Sequence, residues 1–114
     1  MDYKDLDTWK KSIVLVKEIY RLTDSFPNSE KFGLTSQIRR SAVSIPSNVA
    51  EGSARSSDKE FIQFLHYSLG SSAELETQII IAIDLKLITN DNILNKIVEV
   101  KKLISGLIKY LKSK

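Results

Sequence analysis

The spacing of the apolar residues constrains the fold of this chain more than any other feature. In four stretches these residues recur at steps of three and four, and nowhere do they alternate with a period of two. Steps of three and four place side chains on one face of an α-helix, whereas alternation would indicate a β-strand. Only two prolines and four glycines interrupt the 114 residues. The pattern therefore predicts an all-α protein.

The breaks between the apolar stretches predict four helices, at about residues 7–25, 34–54, 57–88 and 91–113. Asp7 is the expected N-cap of the first helix, and Ser57 begins a capping box at the start of the third. Pro46 lacks a backbone N–H and predicts a kink or a local break in the second helix. Short connections favour an antiparallel, up-down-up-down four-helix bundle formed by one domain, residues 1–114.

The helices carry more apolar residues than an isolated four-helix bundle needs. About three apolar positions in seven are enough to face a core, and the third helix exceeds that with two apolar stripes. One stripe comprises Phe61, Leu65, Ser68, Ser72, Leu75, Ile79 and Ala82. Burying the remaining apolar surface against further copies of the chain is the simplest explanation, so the sequence predicts a homo-oligomer.

The charge and composition exclude several classes of function. The chain has no cysteine, which rules out disulfides and cysteine-ligated metals, and no stretch is apolar enough for a membrane span. With no apolar export signal at the N-terminus, a cytoplasmic location is expected. The net charge of +3 is modest, but lysines are concentrated in the last helix. Lys101, Lys102, Lys109 and Lys112 lie there.

A polar ladder beside the apolar face of the second helix is the most distinctive local pattern. Its members recur at three- and four-residue steps: Gln37, Arg40, Ser44, Asn48 and Glu51. Pro46 lies between Ser44 and Asn48 and belongs to the same predicted structural network. One hypothesis is structural: Ser44 and Asn48 satisfy carbonyls freed by Pro46, and Glu51 pairs with Arg40 or Arg55 across the bundle. The other is a phosphate or nucleic-acid site built on Arg39, Arg40 and Arg55, because guanidinium groups suit phosphate oxygens.

Catalytic chemistry has little support in the sequence. His66 is the only histidine, and no cysteine nucleophile, Gly-rich phosphate loop or carboxylate relay accompanies it. Glu-x-x-His pairs, which di-metal helical bundles use, are also missing. We therefore expect no enzyme activity, no metal site, no cofactor and no small-molecule substrate.

Several segments resemble one known family. They are residues 5–10 (DLDTWK), 34–40 (LTSQIRR), 43–52 (VSIPSNVAEG) and 74–78 (ELETQ). The chain is similar to bacterial four-helix-bundle proteins encoded within intervening sequences of 23S ribosomal RNA genes. That resemblance implies a homopentamer around a central channel. It also implies kinship with the accessory protein of diversity-generating retroelements, a basic pentamer that binds nucleic acid and a reverse transcriptase. The biochemical role of the family itself is not established.

Two functions remain open at this point. The first is a non-enzymatic oligomeric module that binds RNA or a nucleic-acid-associated protein. Its predicted contacts are Arg39, Arg40, Arg55, Lys101, Lys102, Lys109 and Lys112. In a ring, the modest charge of each subunit would add up to a sizeable potential. The alternative is a protein-binding structural adaptor with no affinity for nucleic acid, in which the polar ladder is purely structural.

Overall fold

The computed structural model describes residues 2–114 and contains four α-helices and no strand within that range. They are α1 (Asp7–Thr23), α2 (Leu34–Ser53), α3 (Asp58–Asp84) and α4 (Asn92–Ser113). Short 3₁₀ turns, Tyr3–Asp5 and Asn28–Glu30, precede α1 and α2. The prediction of an all-α fold is confirmed. Met1, which the predicted domain includes, lies outside the described residues.

Each helix packs against two others. α2 lies between α1 and α3, and α4 lies between α3 and α1, while the diagonal pairs make no close backbone contact within residues 2–114. Two side-chain bonds join α2 to α3: Ser41 Oγ donates to Glu74 Oε1 at 2.6 Å, and Ser44 Oγ lies 2.8 Å from Ser71 Oγ. The molecule is elongated, with extents of 46 × 23 × 20 Å.

The core is formed by one apolar stripe from each helix. On α3 it is the predicted stripe from Phe61 to Ala82, all of whose members are buried. On α1 the apolar spacing predicts two stripes, Trp9, Ile13, Val16 and Tyr20 beside Leu15, Ile19 and Leu22. Of these, Leu15 and Ile19 are buried, whereas Tyr20 is exposed and the others are half-buried. The buried face also contains three polar residues, Thr8, Ser12 and Thr23. Their hydroxyls bond to carbonyls, as when Ser12 Oγ donates to the Thr8 carbonyl at 2.7 Å. Small polar residues can therefore be buried without unpaired groups.

Three local predictions about the helices can be compared with the structure. Asp7 is the first residue of α1 and makes no cap; the N-cap position is Leu6, with no side-chain bond. The predicted break at Pro46 is absent, since α2 continues through it between the fully buried Ile45 and Val49. Burial on both sides of the proline holds the helix where local propensity would interrupt it. Half of the predicted capping box is present. The Glu60 amide donates to Ser57 Oγ at 3.2 Å, but within residues 2–114 the Glu60 carboxylate accepts from the Ser57 hydroxyl and not from the Ser57 amide.

α3 ends at Asp84, four residues before the predicted end. The Lys86 amide donates to the Ile83 carbonyl and the Leu87 amide to the Ala82 carbonyl, both at 2.9 Å. This is a Schellman ending, and it places Lys86 in the left-handed region with φ 64°. Ile88 then folds back into the core. The apolar pattern continued to residue 88 because this loop, and not a further helical turn, packs on the bundle.

Candidate nucleic-acid interface

Arg39, one of the predicted nucleic-acid contacts, is held by its own chain. Its Nε donates to Thr23 Oγ1 at 2.8 Å, and its Nη2 donates to the Tyr20 carbonyl at 3.3 Å and to Asp24 Oδ1 at 3.1 Å. Its guanidinium carbon lies 4.5 Å from the centre of the Tyr20 ring. Asp24 offsets the charge and several donors are already engaged, so Arg39 mainly ties the start of α2 to the end of α1.

Arg55 and Lys101 are also paired within the chain. Arg55 Nη2 lies 3.1 Å from Glu51 Oε1, and its guanidinium stacks on the Phe64 ring at 4.6 Å. Lys101 Nζ lies 3.1 Å from Glu76 Oε1 on α3. The expectation that Glu51 pairs across the bundle is wrong, because its partner lies only four residues along the chain at the exposed end of α2. These cations therefore contribute little net positive charge to a binding surface.

The other predicted cations, Arg40, Lys102, Lys109 and Lys112, are exposed and make no ion pair with any residue in the range 2–114. Arg40 lies on α2, whereas the three lysines lie on α4, and these two helices are diagonal neighbours. The predicted contacts therefore form two separate surfaces.

We call Lys102, Lys109 and Lys112 the α4 lysine face. Lys102 and Lys109 are two helical turns apart and project in nearly the same direction, and Lys112 lies one turn further. The three span roughly 15 Å along the axis at about 1.5 Å per residue. Such a row of exposed cations raises the positive potential along one side of α4.

Part of the polar ladder forms hydrogen bonds at the contact between α2 and α3. Ser44 Oγ lies 2.8 Å from Ser71 Oγ, and Asn48 Nδ2 donates to the Ser44 carbonyl at 2.9 Å and to its Oγ at 3.0 Å. Neither side chain bonds to the carbonyl of Ala42, which is the acceptor that Pro46 leaves free. The predicted rescue of that carbonyl therefore does not occur. Ser44 instead links α2 to α3, and Asn48 bonds to Ser44 within α2.

The remaining ladder residues, Gln37, Arg40 and Glu51, are exposed on α2. Ser41, which the ladder did not include, donates to Glu74 Oε1 on α3 at 2.6 Å. The ladder thus divides into a hydrogen-bonded half that faces α3 and a solvent-facing half.

A groove beside the start of α2 was missed by the sequence reasoning. We call it the corner groove; its volume is about 460 Å³, and its lining residues are Tyr20, Lys31, Phe32, Thr35, Ser36, Arg39, Arg40 and Val43. Cations and aromatic rings alternate around it, and the lining contains no carboxylate. The local signal was the run Lys31-Phe32-Gly33 immediately before a helix start, which has no periodicity to draw attention to it.

Neither a metal cluster nor a membrane span is found in the described range. Within residues 2–114 no group of three or more His, Asp or Glu side chains could hold a metal ion. None of the helices there is both long and apolar enough to cross a bilayer.

The fold and these surfaces define a small four-helix protein that exposes a row of lysines on one helix and a cationic, aromatic groove beside another. Over residues 4–106 the chain matches the 23S rRNA-intervening sequence protein family, and it belongs to that family. None of the curated proteins compared with the chain matches it.

A solved structure supports the same assignment. It is a protein of unknown function from the S23 ribosomal protein family of Bacteroides thetaiotaomicron VPI-5482, and its sequence is 29% identical to this chain. The similarity covers 96% of this chain and 99% of the other, with a TM-score of 0.83. The four-helix architecture is therefore shared over nearly the full length of both chains.

Proposed function

We propose that this protein is a non-enzymatic oligomeric module that binds RNA or a protein–RNA assembly. The observation that carries the proposal is the α4 lysine face, where Lys102, Lys109 and Lys112 are exposed and lack carboxylate partners within residues 2–114. Lysines on the same helix that point toward neighbours are neutralised, as Lys96 is by Glu18. A solvent-facing row of uncompensated charge suits a polyanion such as RNA.

Titration with a labelled RNA hairpin at low salt tests this proposal. The unmodified protein should bind, and the dissociation constant should rise linearly with salt on a double-logarithmic plot. The triple variant Lys102→Glu, Lys109→Glu, Lys112→Glu should bind at least tenfold more weakly, and its salt slope should fall by about 1 for each lost phosphate contact.

The matched control reverses the same amount of charge elsewhere. Lys10, Lys17 and Lys59 are exposed lysines on α1 and α3, so the variant Lys10→Glu, Lys17→Glu, Lys59→Glu has the same net charge as the first. It should keep most of the affinity and the salt slope. Equal loss in both variants would mean that only net charge matters, and no binding of the unmodified protein at low salt would end the proposal.

Self-association, with the pentamer that the family resemblance implies, is the second part of the proposal. It is supported by large apolar side chains exposed at the end of α3: Ile80, Ile81 and Leu85 are 46%, 44% and 58% exposed. Light scattering should give about five subunit masses, and Ile81→Glu should lower that mass. The control Asn95→Glu, at an exposed polar position of α4, should not. A single-subunit mass for the unmodified protein would contradict the prediction.

We further propose the antiparallel, up-down-up-down order of the helices. Support comes from pairs such as Lys11 with Glu99 and Glu18 with Lys96, whose numbers rise on α1 as they fall on α4.

A protein-binding structural adaptor is the second candidate, favoured by a specific apolar groove. Between α1 and α2 a depression of about 270 Å³ is lined by Tyr3, Trp9, Ile13, Val16, Val43, Pro46, Ser47 and Ala50. A partner helix could bury its apolar face there. This candidate predicts that the hairpin RNA does not bind, so the same titration separates the two functions.

A further inference from the structure

We propose that the corner groove binds an unpaired nucleotide of RNA, with Phe32 as the stacking surface and Arg40 and Lys31 as the phosphate contacts. The inference rests on the proposed RNA-binding function and adds to it a second site with a distinct preference, for single-stranded RNA.

Phe32 is the most unusual residue of the groove. It follows the 3₁₀ turn Asn28–Glu30 and precedes α2, and its side chain is 91% exposed. The ammonium of Lys31 lies 5.5 Å from the ring centre. An isolated exposed apolar side chain is ordinary, but a phenyl ring with a cation beside it, at the rim of a groove, is the arrangement that stacks a base and contacts its phosphate.

Another part of the groove lining, formed by Tyr20 and Arg39, is already organised. Tyr20 is 41% exposed, and Arg39 holds its place beside the ring through bonds to Thr23 and Asp24 as well as the contact of 4.5 Å with the ring itself. Arg39 is thus a positioning residue here. Because the ring is held by its neighbour in the free protein, a base that enters the groove meets a wall that needs little further ordering.

The charge of the groove favours an anion. Arg40 and Lys31 have no carboxylate partner within the described chain. The start of α2 adds no free positive end, because the Leu34 amide donates to Glu30 Oε1 at 3.4 Å. Thr35, a lining residue that is 8% exposed, has an Oγ1 with no hydrogen-bond partner in the described residues.

An exposed ring beside cations favours the binding of unpaired RNA over paired RNA. In a duplex each base is already stacked between its neighbours, whereas an unpaired base can place its face against an exposed ring. The volume of about 460 Å³ falls within the roughly 300–1,000 Å³ typical of sites for small ligands, which suits one nucleotide and not a helix. On α4 the exposed ring is Tyr110, but the cation beside it, Lys114, is paired with Asp58 at 3.2 Å, so the preference should be weaker at the α4 lysine face.

The experiment compares two RNA probes, a 12-nucleotide oligoadenylate and a hairpin stem, each titrated by fluorescence anisotropy. Phe32→Ala should weaken oligoadenylate binding by about 5- to 150-fold, the range that corresponds to one lost stack, and should leave hairpin binding unchanged. The salt dependence of oligoadenylate binding should have the same slope in Phe32→Ala as in the parent protein, because the substitution removes no charge. Arg40→Gln should instead lower the slope for oligoadenylate by about 0.7.

Two further variants keep the test specific. Phe32→Trp should bind oligoadenylate as the parent protein does, and the new indole fluorescence should be quenched on binding. Tyr67→Ala removes an exposed aromatic ring from α3, far along the molecule, and should change neither affinity. Because Phe32 is almost fully exposed, Phe32→Ala should also unfold at the same temperature as the parent.

The inference is overturned if Phe32→Ala binds oligoadenylate as the parent does while the hairpin still binds; the proposed function would then stand. It is also overturned if Phe32→Ala lowers the oligomer mass in light scattering, since the ring would then belong to a contact between copies of the chain. If neither RNA binds the unmodified protein at low salt, the proposed function and this inference fail together.

Discussion

Helices α2 and α3 meet through small side chains and buried hydroxyls, whereas α1 and α4 meet through long charged side chains at the surface. Between α2 and α3, Ser68 Oγ donates to the Ile45 carbonyl at 2.9 Å, and Gly52 lies directly against α3. Between α1 and α4, Lys96 reaches Glu18 at 2.7 Å beside an open cavity of about 320 Å³. The first contact fixes a close spacing of the helices, and the second leaves room between them.

This difference has a consequence for tolerance to substitution. A close contact built from residues with little or no side chain cannot accept extra atoms, because no flexible group can move aside. A contact built from long exposed side chains can lose either partner at small cost. The α2–α3 contact should therefore be sensitive to single changes and the α1–α4 contact insensitive.

The largest expected effect is at Gly52. A Cβ there would lie 2.6 Å from Phe64 Cβ and 3.0 Å from Phe61 Cδ1. Gly52→Ala should lower the free energy of unfolding by about 2–3 kcal/mol in urea denaturation, despite the better helix propensity of alanine, because overpacking outweighs it.

The control for this change is Gly106→Ala on α4, where a Cβ would meet nothing within 4 Å. There the propensity gain is unopposed, and the free energy of unfolding should rise by about 0.5–1 kcal/mol. If both alanine variants are stabilised, α2 and α3 are not as closely packed as their contact at Gly52 indicates.

A smaller effect is expected at Asn48. Asn48→Leu removes the amide that donates to the Ser44 carbonyl and hydroxyl, and it places an apolar side chain beside Ser71. It should lower the free energy of unfolding by about 1–2 kcal/mol in the same denaturation experiment, because a half-buried hydroxyl pair loses a donor. Ser47→Ala, whose hydroxyl bonds only to the Val43 carbonyl at the surface, should change it by less than about 0.5 kcal/mol.

The smallest effect belongs to the α1–α4 contact. A double-mutant cycle on Glu18→Gln and Lys96→Met should give a coupling energy of about 0.2–1 kcal/mol. The glutamate side chain is 23% exposed, but the lysine side chain is 47% exposed, so solvent reaches the pair from the lysine side. The coupling should shrink in 1 M salt. A coupling above that of the Asn48 contact would reverse the comparison between the two helix pairs.

The same contrast explains which parts of the fold could be predicted from the sequence. The core stripes of α3 and α4 are mostly aliphatic, so their periodicity indicated most of the buried face correctly. On α4 it predicts Leu107 as a core residue and leaves Ile108 out, whereas Ile108 is buried and Leu107 only half-buried. On α1, Thr8, Ser12 and Thr23 are buried because helix carbonyls accept their hydroxyl protons, and a hydrophobic pattern does not register such residues. The continuity of α2 at Pro46 depends on packing of the residues on both sides of the proline, and rules based on local sequence do not include such packing.

The candidate site was less predictable than the fold. The sequence indicated which residues carry positive charge, but whether each charge is compensated depends on contacts between helices, as Lys101 and Glu76 show. Arg39 forms an ion pair with Asp24, which lies fifteen residues earlier, at the corner between α1 and α2. Phe32 gave no periodic signal, and its importance follows from its near-complete exposure next to Arg40 and Tyr20.

The loop residue that ends α3 offers a position at which the tolerance of different amino acids for a positive φ angle could be measured. Lys86 adopts the left-handed conformation on the surface, where its side chain makes no ion pair within residues 2–114. Amino acids exchanged there differ mainly in their intrinsic tolerance of positive φ. Glycine and asparagine should rank first in such a series and β-branched residues last, so position 86 would record torsional preference almost separately from packing.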